Sequence, residues 1–242
     1  MDIHPTAVAT CEAEIAMPIT IAFDVYGTLI DTQGVIAVLE DLIGERAAEF
    51  SRTWRDKQLE YSFRRGLMAA YADFGVCTRQ ALEYTCLYYQ TPFTSDQKRG
   101  LLDSYSSLPA FNDVKTGLSQ LQGAGISLYA FSNGARRAVE VLLANAGIGD
   151  CFDGIVSCDD VRSFKPNPAV YAHFLRESGA TREAAWLVSS NPFDVIGAIS
   201  AGWRAAWLQR SGSAVFDPWD IEPTLTVASL GDLAAKLLTP AH

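Results

Sequence analysis

Long apolar runs, paired cysteines, clustered basic residues and well-placed histidines are all missing from this chain of 242 residues. No hydrophobic stretch approaches the roughly 20 residues a helix needs to cross a bilayer, so a membrane span is not expected. The five cysteines, Cys11, Cys77, Cys86, Cys151 and Cys158, form an odd set without a Cys-x-x-Cys pair. That argues against a disulfide framework and a zinc ribbon, and a reducing cytoplasm is the expected compartment. The 19 basic residues are outnumbered by 28 acidic ones, for a formal net charge of -9, and no dense Lys/Arg cluster stands out. Nucleic acid and anionic membranes are therefore not expected partners. Residues 1–18 lack both a basic start and a sustained apolar stretch, so they fit neither a secretory signal nor a transit peptide and are expected to form a loose extension. Of the three histidines, His4 and His242 are near the ends and His173 falls on a helix among structural-looking neighbours, so none is a good candidate for a catalytic base.

What is present is enough apolar material, 49% of the chain, for a buried core. From about Ser106 the pattern alternates: helix 112–123, strand 126–131, helix 135–146, strand 155–157, helix 167–178, strand 185–188, helix 193–201, strand 205–208. Residues 210–223, rich in Ser, Gly, Pro and Asp, read as a surface loop before a last strand and helix. Repeated strand–helix units predict an α/β fold, a doubly wound parallel sheet with helices on both faces. Gly123, Gly125, Gly147, Gly149 and Gly179 each lie between a helix and a strand and are expected at left-handed helix ends. Between the first strand, Ile19 to Phe23, and this region, aromatic and aliphatic residues recur at helical spacing. The expected organisation is a core of residues 19–32 and 106–242 with residues 33–105 inserted as a helical cap. Ligands of such sheets bind beyond the carboxyl ends of the strands, where Asp24, Ser132 and the loop from Ser189 to Asp194 would converge.

The first strand runs into Asp24-Val25-Tyr26-Gly27-Thr28-Leu29, a carboxylate at a glycine turn. Asp24 is expected to be a nucleophile. Enzymes with a related Asp-x-Asp turn move phosphoryl groups, the first carboxylate attacking and helping to bind magnesium, the second serving as general acid and base. Tyr26 suits neither task. A lone carboxylate fits a reaction whose leaving group needs no proton, such as displacement of halide from saturated carbon.

Four motifs in order carry a family resemblance: the Asp24 turn; Trp54-Arg55-Asp56-Lys57-Gln58-Leu59-Glu60-Tyr61; Phe131-Ser132-Asn133-Gly134; and Lys165-Pro166 with Ser189-Ser190-Asn191-Pro192-Phe193-Asp194. On these the chain resembles the haloacid dehalogenase superfamily, and within it the type II (S)-2-haloacid dehalogenases, over residues 19–238. The resemblance implies SN2 attack by Asp24 on a short (S)-2-haloalkanoate, an aspartyl ester, and hydrolysis to the (R)-2-hydroxy acid. It implies Lys165 as the cation that keeps Asp24 ionised, with Thr28 and Ser189 hydrogen-bonding the carboxylate. Ser132 and Asn133, which end a strand and open a helix, would receive the substrate carboxylate. Arg55 would bind halide with help from Asn191, Asp194 would hold the hydrolytic water, and Tyr171 would hydrogen-bond the buried charges. Val25, Tyr26, Leu59, Phe74 and Phe193 would line the substrate pocket. No metal or cofactor is implied. The expected partners are the small anionic substrate and the halide product, and a homodimer is compatible with the sequence.

Two departures from the family pattern stand out. Asp56 follows the arginine where an uncharged glutamine is commoner, and an acid there would compete with halide for Arg55. Asn191-Pro192-Phe193 replaces the commoner Asn-Ala-Trp, which would widen the pocket near the halogen. A magnesium-dependent phosphatase of the same fold, argued against by Tyr26, and a non-catalytic binder of a carboxylate or a protein, kept open by Asp56, are the alternatives.

Overall fold

The protein is described as a computed structural model covering residues 19–239. The expected N-terminal extension, together with His4, Cys11 and His242, lies outside the described residues. Six parallel strands, β1 (Thr20–Phe23), β2 (Ser127–Ser132), β3 (Gly154–Ser157), β4 (Ala185–Ser189), β5 (Arg204–Leu208) and β6 (Leu225–Val227), form one sheet in the order β3-β2-β1-β4-β5-β6. The chain leaves β1 in both directions across the sheet, so the order reverses at β1 and opens a crevice at its carboxyl end, where Asp24 emerges.

A parallel sheet is buried on both faces, and the side chains of β1 divide accordingly. Ile21 and Phe23 join a cluster with Leu128, Ala130 and Val188 beneath helices α5 (Val114–Gly123), α6 (Arg136–Asn145) and α9 (Leu230–Leu238). Ala22 points the other way, into a cluster with Phe131, Leu187 and Trp203 under α7 (Pro168–Ser178) and α8 (Pro192–Ser200). The strand and helix register expected from the sequence agrees with these bounds to within about two residues. Of the five linker glycines, Gly125, Gly147 and Gly179 take positive φ, whereas Gly123 is the last residue of α5 and Gly149 opens a 3-10 turn. One left-handed residue suffices to stop each helix, so the second glycine of a pair is free of that duty.

Between β1 and α5 lie four helices, α1 (Gly34–Ile43), α2 (Ala47–Leu67), α3 (Phe74–Tyr88) and α4 (Ser95–Ser104). Their ends are built by side chains: Asp73 accepts from the Val76 N–H at the start of α3, and Thr94 with Gln97 forms a reciprocal capping box on α4. The Trp54 indole donates to the Thr78 carbonyl at 2.9 Å, locking α2 to α3. Phe50, Trp54, Ala81 and Leu82 from these helices are continuous with the cluster beneath α5 and α6. The helical layer therefore shares its core with the sheet, although Leu67, Met68, Leu87 and Tyr88 remain exposed, and Arg55 of α2 reaches the turn after β1.

Candidate active site

Asp24 follows β1 directly, and its turn is fixed by the Val25 carbonyl, which accepts the N–H groups of Thr28, Leu29 and Ile30. Gly27 takes φ 83°, a conformation that favours glycine, and this brings the Thr28 hydroxyl back onto Asp24 Oδ2 at 2.7 Å. Asn191 sits at the N-cap of α8 but does not cap it, its amide donating instead to the same Oδ2 at 2.8 Å. The other oxygen, Oδ1, accepts from the Lys165 ammonium at 3.1 Å. One carboxylate oxygen therefore holds two neutral donors, and the other faces a single cation.

Lys165 spends all three ammonium protons inside the protein: on Asp24 Oδ1, on Asp194 Oδ2 at 2.8 Å and on the Phe131 carbonyl at 2.8 Å. Its side chain is only 1% exposed. Desolvation works against the charge, but the Asp194 and Asp24 carboxylates outweigh it and hold the ammonium above the ordinary lysine range. Asp194, in the first turn of α8, is fully buried, and its second oxygen accepts from the Tyr171 hydroxyl at 2.9 Å. Burial pushes the Asp194 carboxyl up, with the Lys165 charge opposing.

Tyr26 is a half-buried phenol among Phe74, Tyr105 and Arg55 rather than an acid; desolvation, and then Tyr105, push it up to about 12. It cannot exchange protons near neutrality. Arg55 projects from α2 toward the same turn, donating to Gln58 Oε1 at 2.7 Å and to the Tyr26 carbonyl at 3.4 Å. Leu59 lies one helical turn further along α2 and Phe74 opens α3, tilted against Tyr26 at 6.0 Å. Phe193 packs edge-on to Phe63 of α2 at 5.0 Å. A cavity of about 660 Å³ borders Tyr26, Gln58, Phe74 and Gly134, and a second of about 750 Å³ borders Phe63, Lys165 and Phe193.

The structure thus gathers Asp24, Thr28, Arg55, Tyr26, Lys165, Tyr171, Asn191 and Asp194 at the strand tips, and it corrects four expectations. Ser189 does not reach Asp24: its hydroxyl accepts the Asn191 N–H at 3.1 Å, and it is Ser190 whose N–H holds Thr28 Oγ1 at 2.9 Å. Successive residues at a strand end point to opposite sides, so only one of two adjacent serines can face the turn. Ser132 and Asn133 do not open α6, which begins at Arg136 behind an Ala135 N-cap. The Ser132 hydroxyl accepts the Gly134 N–H at 3.0 Å, shaping its own turn, and Asn133 Oδ1 accepts the Lys165 N–H at 2.9 Å, fixing the loop that carries the lysine. The Val25 side chain is wholly in the core and walls no pocket. Asp56 is exposed on α2 and makes no ion pair with Arg55, whose partner is Gln58. Residues at i and i+1 on a helix face different ways, which the motif spacing did not resolve.

Gln58 and Ser190 are site residues that the motifs contain but to which motif spacing assigned no role. Gln58 joins Arg55 to Thr78, donating to its hydroxyl at 2.5 Å. A polar residue three positions after Arg55 on an otherwise buried helix face is the one signal that pointed there. Among the described residues no group of three or more His, Cys, Asp or Glu side chains could hold a metal ion. The Lys165 ammonium lies between the Asp24 and Asp194 carboxylates.

Known proteins share this sequence pattern and fold. A family model described as haloacid dehalogenase-like hydrolase matches residues 20–202. The (S)-2-haloacid dehalogenase of Pseudomonas putida is 34% identical over 218 residues, which is 90% of this chain and 96% of that protein. Haloacetate dehalogenase H-2 of Moraxella sp. (strain B) is 36% identical over 207 residues, 86% of this chain and 92% of that one. Among solved structures, L-2-haloacid dehalogenase from Xanthobacter autotrophicus with chloropropionic acid covalently bound has a TM-score of 0.86 and 33% identity, covering 93% of this chain and 100% of that one. The chain belongs to the haloacid dehalogenase-like hydrolases and groups with their (S)-2-haloacid dehalogenases.

Proposed function

We propose that the protein hydrolyses short (S)-2-haloalkanoic acids to (R)-2-hydroxy acids and halide, through an ester on Asp24 and without a metal ion. The observation that carries this is the asymmetry of the Asp24 carboxylate. Oδ2 is occupied by Thr28 and Asn191, whereas Oδ1 meets only the Lys165 ammonium and keeps a lone pair free to attack. Oδ1 displaces halide from the carbon next to the substrate carboxylate, with inversion, and halide leaves toward Arg55, which retains N–H groups beyond its bonds to Gln58 and Tyr26.

Esterification neutralises Asp24, so the Lys165 charge then falls to Asp194 alone and keeps that carboxylate ionised. Asp194 takes a proton from water as the oxygen of that water bonds to the Asp24 carboxyl carbon. The charge that develops on Oδ2 is met by the Thr28 hydroxyl and the Asn191 amide already in place. The bond between the Asp24 carboxyl carbon and Oδ1 then breaks, Asp194 returns its proton to Oδ1 as the hydroxy acid leaves, and the water oxygen stays in Asp24, whose carboxyl releases the remaining water proton to solvent. Tyr26 and Phe74 wall the first cavity and Phe193 the second, and apolar walls that exclude water strengthen these contacts. The four cysteines among the described residues are unpaired, which suits a reducing cytoplasm.

Chloride release from (S)-2-chloropropionate in the presence of a chelator tests the proposal, and one turnover in oxygen-18 water should label Asp24. Silence towards all short 2-haloacids, or phosphate-ester hydrolysis on adding magnesium, would overturn it.

A further inference from the structure

We propose that Arg210, which lines neither cavity, is a positioning residue for the nucleophile, resting on the function proposed above. Arg210 lies just beyond β5, only 14% exposed, with its guanidinium 4.2 Å over the Phe111 ring. Two of its nitrogens converge on one atom: Nε and Nη2 donate to the Thr28 carbonyl at 3.0 and 2.7 Å. Nη1 donates to Asp113 Oδ1 at 2.7 Å, and Asp113 Oδ2 accepts the Leu230 N–H that opens α9 at 2.8 Å. The start of α9 is thus wired to the catalytic turn through a planar, preoriented fork.

Thr28 is fully buried, and among the described residues only Arg210 donates to its carbonyl. The Thr28 hydroxyl has no freedom of its own either. It accepts the Ser190 N–H at 2.9 Å, while the Ser190 hydroxyl donates to the Gly27 carbonyl at 2.5 Å, so the Thr28 proton is directed to Asp24. The orientation of Oδ2, and with it the line of attack from Oδ1, therefore depends on where the Thr28 peptide sits. Arg210 fixes that peptide by its carbonyl oxygen. Misalignment of a reacting oxygen slows the chemical step without weakening ground-state binding.

The test compares chloride release by the wild type, Arg210→Gln, Thr28→Val and the double variant, each verified as folded by thermal unfolding. Arg210→Gln is expected to lower kcat about tenfold, or about 1.4 kcal/mol of activation energy, with KM changed less than twofold. Arg210→Lys should recover part of the loss. In the Thr28→Val background, with the hydroxyl gone, Arg210→Gln should cost less than a further twofold. Equal losses in both backgrounds, a change confined to KM, or an unchanged kcat would overturn the proposal. If Arg210→Gln does not fold, Arg210→Lys and Asp113→Asn carry the same comparison. A silent wild type would sink the function itself, and this inference with it; an active wild type with an indifferent Arg210 would sink the inference alone.

Discussion

The Lys165 ammonium lies 3.1 Å from Asp24 Oδ1 although 141 residues separate the two in the chain. Parallel pairing of β1, β2 and β3 puts their carboxyl ends on one edge, so the loop after β3 reaches the tip of β1 and the contact is a product of topology. Lys165→Met would leave Asp24 and fully buried Asp194 facing each other without a counter-charge. Removing one partner of a buried pair costs about 3–5 kcal/mol, so urea unfolding should show a loss of that order and chloride release should fall below detection. A variant that kept wild-type stability would mean that Asp24 and Asp194 are far better solvated than their burial indicates.

The pH dependence follows from the same cluster. Lys165 is held above its ordinary value of 10.5, so the stability its ion pairs contribute is fully present below 10.5 and is lost only as pH rises through the folded value. Asp194 is raised above its ordinary 3.8, so the folded protein keeps that proton to higher pH than the unfolded chain, and stability from this group is lost as pH rises through the raised value. Catalysis needs Asp194 ionised. A kcat profile on 2-chloropropionate should therefore rise on an acid limb above 3.8 and run level past neutrality with no decline before 10.5. A decline beginning near pH 8 would show that Lys165 loses its proton early and that the pairing is weaker than the geometry implies.

Asp56→Gln should leave kcat/KM within about twofold of wild type, because Asp56 is exposed and points away from Arg55. Exposed charges well apart contribute weakly in water and salt. Gln58→Ala, by contrast, should weaken activity, since it removes the group that holds Arg55 and bonds to Thr78. The two variants, assayed side by side for chloride release, separate a motif letter that matters from one that does not. The opposite ranking would show that Asp56 reaches the halide side after all.

Much of this arrangement was legible in the sequence, and the physical reason is locality. Asp24, Gly27 and Thr28 are set by one turn, and Asn191 to Asp194 by one helix start, so their mutual geometry follows from spacing. The sheet followed from alternating strands and helices, each of which must bury a face. What spacing could not supply was the rotation of a residue about its own element. Ser189 against Ser190, and Asp56 against Gln58, are choices of side that depend on strand and helix register against neighbours far along the chain. Arg210 escaped for a related reason: it meets Thr28 across 182 residues, through a backbone carbonyl that leaves no trace in side-chain composition.

Gly197 offers a last test of how tightly the cluster is held. It lies in α8, one turn beyond Asp194, and a methyl group there would press on the Tyr171 hydroxyl and come within 2.6 Å of Pro166 Cβ. Glycine inside a helix is ordinarily a cost, and replacing it with alanine at a roomy position gains stability. Here the gain is cancelled, because the hydroxyl that would have to move is the one donating to Asp194 Oδ1 at 2.9 Å, and Tyr171 is wedged against Trp203 at 5.5 Å between ring centroids. Gly197→Ala should lower stability by about 1–3 kcal/mol, the usual cost of overpacking a filled core. It should also reduce kcat more than KM, since the group disturbed serves the hydrolytic carboxylate rather than substrate binding. Tyr171→Phe in the same background relieves part of the clash by removing the hydroxyl, and thermal unfolding should then show a smaller penalty for Gly197→Ala than in the wild type. Equal penalties in the two backgrounds would mean that α8 shifts as a unit, and that Asp194 is carried by its helix rather than pinned by Tyr171.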